Sequence, residues 1–477
     1  MKLYDLIGDK AAEKDRDTEI SFITDDNRKI QKGCIYVCVK GEKFDGHTAA
    51  PKAIEDGAAF VVADHDLGLG DKQIIVPNTR QYYGELCAAW FDHPEKKLKI
   101  IGVTGTNGKT TITNMIKHIL MQSGFKTGLI GTIRNEIGDE AIHTENTTPM
   151  AFDYMQLLDR MYREGCRYVV MEVSSFGLVQ YRVGPTHFDV AVFTNLTQDH
   201  LDYHKTMENY YQAKKMMFDN CETAIINTDD EYGKRLYTEI KCDKKSYGTN
   251  PLAIYRYTNA RMKPDGTTFM FSMGGTAHNA KIQMPGKFNA ANASAAISVL
   301  LKCGLNMVDI LIPLSQYGGV KGRCEVIPTG KDFAVICDYA HTPDALENVL
   351  KSIREYTEHE LICLFGCGGN RDVKKRPLMA QAAAKYADRL IITSDNPRDE
   401  IPENIIDDIL KGIEDCDIPF DVVVDRQKAI YHGLKICQSG DVLLLAGKGH
   451  EDYQILAGNK HIHFDEREIV SEGLKLI

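Results

Sequence analysis

One stretch constrains the fold of this chain more than any other. Leu98-Lys99-Ile100-Ile101-Gly102-Val103-Thr104 is a short apolar run that reads as a buried strand. Gly105-Thr106-Asn107-Gly108-Lys109-Thr110-Thr111 follows as a glycine-rich loop. A helix-period pattern then places Ile112, Met115, Ile116 and Ile119 on one side. Glycines let backbone N–H groups turn inward around an anion. The start of the helix adds its own unpaired N–H groups and the positive end of its dipole. Lys109 supplies a point charge for outer phosphates, and Thr110 a hydroxyl suited to Mg²⁺. The common form of this loop has glycine five residues before Gly108, where this chain has Val103. The spacing here, Gly102-x-x-Gly105-x-x-Gly108-Lys109-Thr110, is a variant of that phosphate loop.

A chain of 477 residues is too long for one core, so several domains are expected. No apolar run reaches the roughly 18 residues of a membrane span. The start, Met1-Lys2-Leu3-Tyr4-Asp5, lacks a signal-peptide pattern. A net charge of −10 argues against general nucleic-acid binding. The 13 cysteines are odd in number and irregularly spaced, and Cys363 and Cys367 have no second pair to complete a zinc site. Reduced cytosolic thiols that pack as small apolar groups are expected.

Residues 1–96 alternate short apolar runs (Cys34 to Val39, Ala58 to Ala63, Gln73 to Val76) with turns, then a helical stretch near Gln81 to Phe91. His93-Pro94-Glu95-Lys96 suits a linker. Asp26-Asn27-Arg28, and Gly41 with Phe44, Asp45, Gly46 and His47, read as plain solvated turns. Residues 97–325 alternate strands with helices, the signature of a parallel sheet with helices on both faces. The clearest strands are Tyr168 to Val173, Val190 to Thr194 and Ala224 to Ile226. Residues 326–477 repeat that logic as a second open α/β unit. Its strands run Phe333 to Cys337, Leu361 to Phe365, Leu390 to Thr393, Val422 to Val424 and Val442 to Leu445. Gly366-x-Gly368-Gly369 lacks the full dinucleotide spacing.

Polar clusters fall at the carboxyl ends of these strands, where ligands of such sheets bind. Glu172 ends an apolar run, and a carboxylate beside a phosphate loop can hold Mg²⁺. The cluster Asp199-His200-Leu201-Asp202-Tyr203-His204 reads as one histidine near a nucleotide and the rest structural. Lys214 reads as a solvated helix side chain. Arg398, after Asp395-Asn396-Pro397, can grip a carboxylate with two parallel hydrogen bonds. With Asp338, His341, Arg371 and Glu451 at neighbouring strand ends it could build a zwitterion site.

Together these segments resemble the Mur ligase family across nearly the whole chain. The resemblance rests on Gly105 to Thr111, Asn146-Thr147-Thr148-Pro149, Glu172-Val173-Ser174-Ser175, Asn195 to Asp202 and Ala213-Lys214. It continues through Gly286-Lys287-Phe288-Asn289 with Asn292, Gly322-Arg323, Asp338-Tyr339-Ala340-His341 and Gly447-Lys448-Gly449-His450-Glu451. It implies three α/β domains: an N-terminal UDP-binding domain (1–96), a central P-loop ATPase (97–325) and a C-terminal Rossmann-like domain for the incoming amino acid (326–477). It also implies a cytoplasmic, monomeric enzyme with ATP and Mg²⁺. Asp395-Asn396-Pro397-Arg398 is similar to the motif of members that add meso-diaminopimelate to UDP-N-acetylmuramoyl-L-alanyl-D-glutamate through an acyl phosphate. Alternatives are a lysine-adding or other diamino-acid-adding relative, a folate-type polyglutamate ligase, and a non-catalytic P-loop regulator.

By the resemblance, Gly105, Thr106, Asn107, Gly108, Lys109, Thr110 and Thr111 hold ATP, with Asn289 near the nucleotide and Arg323 at a hinge. Thr110, Glu172, His200 and Lys214 (as a carbamate) attend the metal, and Lys109, Glu172, His200 and Lys214 are catalytic. Asn27, Thr147, Thr148, Ser174, Gln180 and Arg182 meet the UDP-sugar peptide. Arg371, Asp395, Asn396, Pro397, Arg398, Gly447 and Glu451 form the amino-acid pocket, with Glu451 taking the distal ammonium. Two positions depart from the family: Asn27 replaces a usual Ser, and Phe176 a usual His.

Overall fold

Three sheets organise the computed structural model, which describes residues 1–41, 44–263 and 266–477. The side chain of Asp202, one of the polar groups of the 199–204 cluster, lies outside the described residues. The first sheet is parallel throughout, in the order Ile23–Thr24, Ile35–Val37, Phe60–Ala63, Gln73–Ile75. The helix Thr79–Trp90 and a 3-10 turn at Pro94–Lys96 lead out of it.

The second sheet has eleven strands. Its parallel centre runs Asp243–Gly248, Cys221–Asn227, Phe188–Phe193, Lys99–Thr104, Tyr168–Glu172, Thr127–Ile130. The helix Lys109–Gln122 buries Ile112, Met115, Ile116 and Ile119 completely, against the sheet and the helix Lys287–Lys302. The expectation of a parallel sheet needs correcting at both edges. Asn135–Ile137 and Glu140–Ile142 form an antiparallel hairpin on one side. Tyr255–Lys263, Gly266–Met273 and Thr276–Ile282 form an antiparallel meander on the other. The meander alternates buried Thr267, Phe269 and Phe271 with outward Thr268, Met270 and Ser272. That period of two suits strands with one covered face, unlike the continuous apolar runs at the centre.

The third sheet runs Glu325–Ile327, Ala334–Asp338, Val442–Ala446, Leu361–Phe365, Arg389–Ile392, Phe420–Val422, parallel except for its first strand. A hairpin, Tyr453–Leu456 with Lys460–His463, stands beside it. All 13 cysteines are unbridged. Among the described residues no helix is long and apolar enough to cross a membrane.

Gly102 has a structural reason that is separate from phosphate binding. It lies inside the strand Lys99–Thr104, where a Cβ would stand 2.7 Å from the Phe188 ring. The phosphate loop therefore begins at Gly105.

Arg426 and Glu466 form an ion pair at 2.8 Å with both side chains fully buried. Arg426 also donates to the carbonyls of Ser394 (3.4 Å) and Ala446 (2.8 Å). It thus holds the two strand ends from which residues 395–398 and 447–451 emerge. Arg426→Ala leaves Glu466 buried without its partner, a loss of about 3–5 kcal/mol. Hydrogen exchange should show reduced amide protection in Val442–Ala446, and unchanged protection would refute this.

Candidate active site

The loop after the strand Lys99–Thr104 is shaped by two glycines. Gly105 has φ +144°, and a Cβ there would stand 1.8 Å from Thr194 Oγ1. Gly108 has φ +90°, and its Cβ would stand 2.5 Å from Asn292 Oδ1. The neighbouring strand end holds the loop. Thr106 N–H donates to the Asn195 carbonyl (2.9 Å), Asn107 N–H to Asn195 Oδ1 (2.9 Å), and Thr194 Oγ1 to the Asn107 carbonyl (2.7 Å). The first N–H groups of Lys109–Gln122 have no intrahelical acceptor and adjoin the loop. Asn289 is buried, donates to the Pro285 carbonyl (2.7 Å) and accepts from Asn292 (3.0 Å). It acts on the loop through Asn292.

Lys109 Nζ donates to the carbonyls of Gly105 (2.9 Å) and Thr106 (2.8 Å). Lys214 Nζ donates to the same Gly105 carbonyl at 2.9 Å. Reading Lys214 as solvated is therefore wrong: its residue is only 2% exposed. The helix Met207–Lys215 turns Tyr210, Tyr211, Ala213 and Lys214 into the protein. Burial, then the charge of Lys109, pushes the Lys214 amine well below its ordinary range, and burial also lowers Lys109.

Glu172 is buried at the end of its strand. Its Oε2 accepts from Thr110 Oγ1 (2.9 Å) and Thr132 Oγ1 (3.0 Å), and its Oε1 from Thr132 N–H (2.9 Å). Sequence reasoning missed Thr132, which follows the strand Thr127–Ile130 that it also missed. Thr132 Oγ1 lies 3.1 Å from Thr147 Oγ1. Thr148 Oγ1 donates to the Glu172 carbonyl (3.1 Å) and accepts from Ser174 N–H (3.0 Å). Arg182 donates to the Thr148 carbonyl (2.9 Å) and, with two nitrogens, to Gln180 Oε1 (3.0 and 2.8 Å). Thr147, Thr148, Ser174, Gln180 and Arg182 therefore form one connected patch beside Glu172. Asn27 does not join it. It is exposed on a 3-10 turn whose cap, Asp26, pairs with Arg28 (2.9 Å).

His200 is exposed, with its ring edge-on to Phe176 at 5.1 Å. His204 is buried, 2.9 Å from Ser175 Oγ and stacked on Tyr210. Phe176 also packs on Tyr203 and His204, so this departure fills an aromatic cluster. Burial would raise the Asp199 carboxyl, but His200, His341, Lys375 and Lys109 around it hold it below the usual range.

Residues leading into and following the third sheet's first strands reach the loop 105–111. Arg323 donates to Thr110 Oγ1 (3.3 Å) and lies over the Tyr339 ring. Asp344 accepts from Asn107 Nδ2 (3.0 Å) and Thr197 Oγ1 (3.1 Å). Asp338 is engaged by the backbone: its carboxylate accepts the N–H groups of Cys324 (2.6 Å) and Ala340 (2.7 Å). His341 feels Asp199 from the central sheet, and Asp395 feels His341 from the far side.

Beyond His341, Lys448 is fully buried, and sequence reasoning assigned it no role. Its ammonium donates to Asn396 Oδ1 (2.7 Å), Glu451 Oε2 (3.1 Å) and the Tyr453 carbonyl (2.8 Å), and pairs with Asp395 (3.2 Å). Glu451 Oε2 also accepts from Asn396 (3.0 Å), which leaves Oε1 without a hydrogen bond among the described residues. Arg398 sits at φ +53°, and one guanidinium nitrogen donates to the Gly369 carbonyl (3.0 Å). A Cβ on Gly368 would meet both Arg398 (2.9 Å) and Arg371 (3.7 Å), and one on Gly369 the Pro397 carbonyl (1.9 Å). These glycines admit the 395–398 turn. Gly447 backs onto Asp395 in the same way, at 3.0 Å. Neither Arg371 nor Arg398 has a carboxylate ion partner among the described residues. Burial, then Arg371, lowers Arg398.

Family models match along this chain: the "Mur ligase family, catalytic domain" at residues 19–90, the "Mur ligase middle domain" at 103–300 and the "Mur ligase, glutamate ligase domain" at 322–449. The UDP-N-acetylmuramoyl-L-alanyl-D-glutamate--2,6-diaminopimelate ligase 1 of Clostridium acetobutylicum is 44% identical over 100% of this chain and 99% of its own length. The chain belongs to the Mur ligase family. The corresponding ligase of Bacillus cereus is 40% identical over 99% of this chain and 98% of its own. A solved structure of such a diaminopimelate ligase superposes with TM-score 0.74 at 30% identity, covering 100% of this chain and 99% of that one. An ADP-bound MurF from Thermotoga maritima shares the fold at TM-score 0.60 and 16% identity, over 96% of this chain and 97% of that one.

Burial, then Lys375, lowers His341 to about 4. An unfolded histidine titrates near ~6.5. Between those values the unfolded chain binds a proton that the folded site refuses. Its contribution to stability is therefore present above ~6.5 and lost as pH falls towards about 4. The slope is at most ~1.4 kcal/mol per pH unit. Chemical denaturation of wild type and His341→Gln across this window should show a shallower pH dependence in the variant. Equal slopes would refute the assignment.

Proposed function

We propose that this chain is an ATP-dependent amide ligase that adds meso-diaminopimelate to UDP-N-acetylmuramoyl-L-alanyl-D-glutamate. The observation that carries this reading is the pair of arginines, Arg371 and Arg398, whose side chains come together at Gly368 without a carboxylate ion partner among the described residues. Two adjacent cations call for anionic groups. Diaminopimelate brings two carboxylates, lysine only one. Glu451 Oε1 is left for an ammonium. The names of the full-length relatives support the same substrates. We place the divisions at 1–96 for the UDP end, 97–325 for ATP and 326–477 for the amino acid, acting as a cytoplasmic monomer.

A carboxylate is a poor electrophile, so it must be phosphorylated before an amine can attack. Residues Gly105 to Thr111 cradle the ATP phosphates with backbone N–H groups, Lys109 swings from its loop carbonyls to the outer phosphate, and Arg323 adds charge from the hinge. The Thr110–Glu172 pair at 2.9 Å is an oxygen-rich, buried donor set that fits Mg²⁺. Bound there, Mg²⁺ would offset the charge of two anions brought together. His200 adds an imidazole. Lys214, whose burial disfavours the charged form, can add its free amine to CO₂ and release a proton, which leaves an anionic carbamate. The patch from Thr147 to Arg182 positions the muramyl dipeptide, and Asn27 meets the uridine end. Asp395, Asn396, Pro397 and Gly447 shape the amino-acid pocket, and its free amine displaces phosphate.

Purified protein should form the amide with meso-diaminopimelate and ATP, and use L-lysine poorly. Arg398→Ala should raise KM for diaminopimelate about 10–100-fold, as expected for losing a charged hydrogen bond. Equal use of both amino acids would favour the lysine alternative, and ATP turnover without the muramyl dipeptide would favour a regulatory ATPase. Lys214→Ala should lower kcat by about 10² or more, with little change in KM for diaminopimelate. Retained kcat would remove Lys214 from the machinery.

A further inference from the structure

The turn read from sequence as solvated, Asp45-Gly46-His47, is in fact packed inside the first sheet's carboxyl edge. Gly46 and His47 are buried in the 3-10 helix Gly46–Ala49, and a Cβ on Gly46 would stand 2.8 Å from Val39 N. This helix follows the strand Ile35–Val37. Asp64 and His65 follow the adjacent strand Phe60–Ala63, with Val37 and Val62 in register. Two neighbouring parallel strands thus deliver His47, Asp64 and His65 to one spot. One ligand atom from each lies within 4.8 Å of the others, and the two imidazole centroids are 4.9 Å apart.

The orientation of His47 adds an independent observation. Its side chain is 8% exposed. Asp45 Oδ1 lies 2.6 Å from its Nδ1, and the tautomer that carries its proton on Nδ1 presents the Nε2 lone pair to the other side. Nε2 points at Asp64 Oδ1, 3.2 Å away, yet is a buried nitrogen with no hydrogen-bond partner among the described residues. A carboxylate behind one nitrogen and an open lone pair in front is how proteins orient a metal-ligating histidine. His65 Nδ1 completes the set, 2.5 Å from Asp64 Oδ1.

We propose that His47 Nε2, Asp64 and His65 form a binding site for a zinc-class divalent transition metal, with Asp45 as the positioning residue behind His47. Two imidazoles and a carboxylate are borderline donors that suit such an ion. Its ligands sit ~2.0–2.1 Å from it, hence roughly 3.3 Å from one another in a tetrahedron. His47 Nε2 and Asp64 Oδ1 are already near that spacing at 3.2 Å, and the exposed Asp64 and His65 side chains are free to adjust to the ion. Solvent on the His65 side supplies the fourth position. The bound ion ties residues 44–47 to the end of the strand Phe60–Ala63.

The test uses chelator-treated full-length protein titrated with Zn²⁺ by calorimetry and with Co²⁺ by visible absorption. Wild type should take up one equivalent at this site, with intense tetrahedral cobalt bands and a melting temperature raised by the metal. Asp64→Asn and His65→Ala alter exposed side chains, and circular dichroism checks that the metal-free fold is unchanged. Each should weaken binding at least tenfold and abolish the metal-dependent rise. Asp45→Asn should weaken it by about 10–100-fold. No zinc uptake by wild type, or the same titration in an Asp64→Asn/His65→Ala double variant, would overturn the site and leave a hydrogen-bonded His–Asp cluster.

Discussion

The carbonyl oxygen of Gly105 accepts hydrogen bonds from two lysine side chains, those of Lys109 and Lys214. Everything at the centre of the molecule is arranged to permit this. The carbonyl can turn inward only because residue 105 has φ +144° and no Cβ to strike Thr194. The strand Phe188–Phe193 must end beside it so that Thr194 and Asn195 can hold the loop from outside. Two like charges on one acceptor, away from water, are tolerable only if one gives up its proton or an anion arrives. The depressed Lys214 answers the first condition, and a phosphate chain answers the second.

At the far end of the cleft a similar electrostatic problem has another answer. Lys448 is buried with Asp395 and Glu451 around it and Asn396 between them, so one cation is held by two acids. Arg426 and Glu466 hold the strand ends that carry these groups. Arg371 and Arg398, which have no carboxylate ion partner among the described residues, come together at Gly368. On the proposed reading one end serves an anionic phosphate and the other an anionic carboxylate, with burial lowering His341 between them.

The parts legible in the sequence were those whose physics is local. The apolar run 98–104, the glycine loop and the helix that buries Ile112 to Ile119 announce themselves by periodicity and turn chemistry. The strands at 361–365 and 442–446 are continuous apolar runs for the same reason. Two-sided edge strands were missed because half of their residues face water, and Thr132 was lost with the strand before it. Lys214 and Lys448 look like any surface lysine. Only the fold reveals that a helix face or a strand end has turned them inward. The arrangement of Arg371 against Arg398 depends on two glycines admitting a turn from another strand, a relation that spacing along the chain does not encode.

Arg323 reaches back from the strap between the second and third sheets to the hydroxyl of Thr110, and that hydroxyl also donates to Glu172. A divalent ion settling on the same oxygen would repel the guanidinium. Free-energy coupling of this kind runs both ways. An ion that displaces Arg323 loosens the grip of the strap, and a strap bent away leaves the hydroxyl a better ligand. How open the jaw stands and how tightly its throat holds a cation are then a single equilibrium seen from two ends.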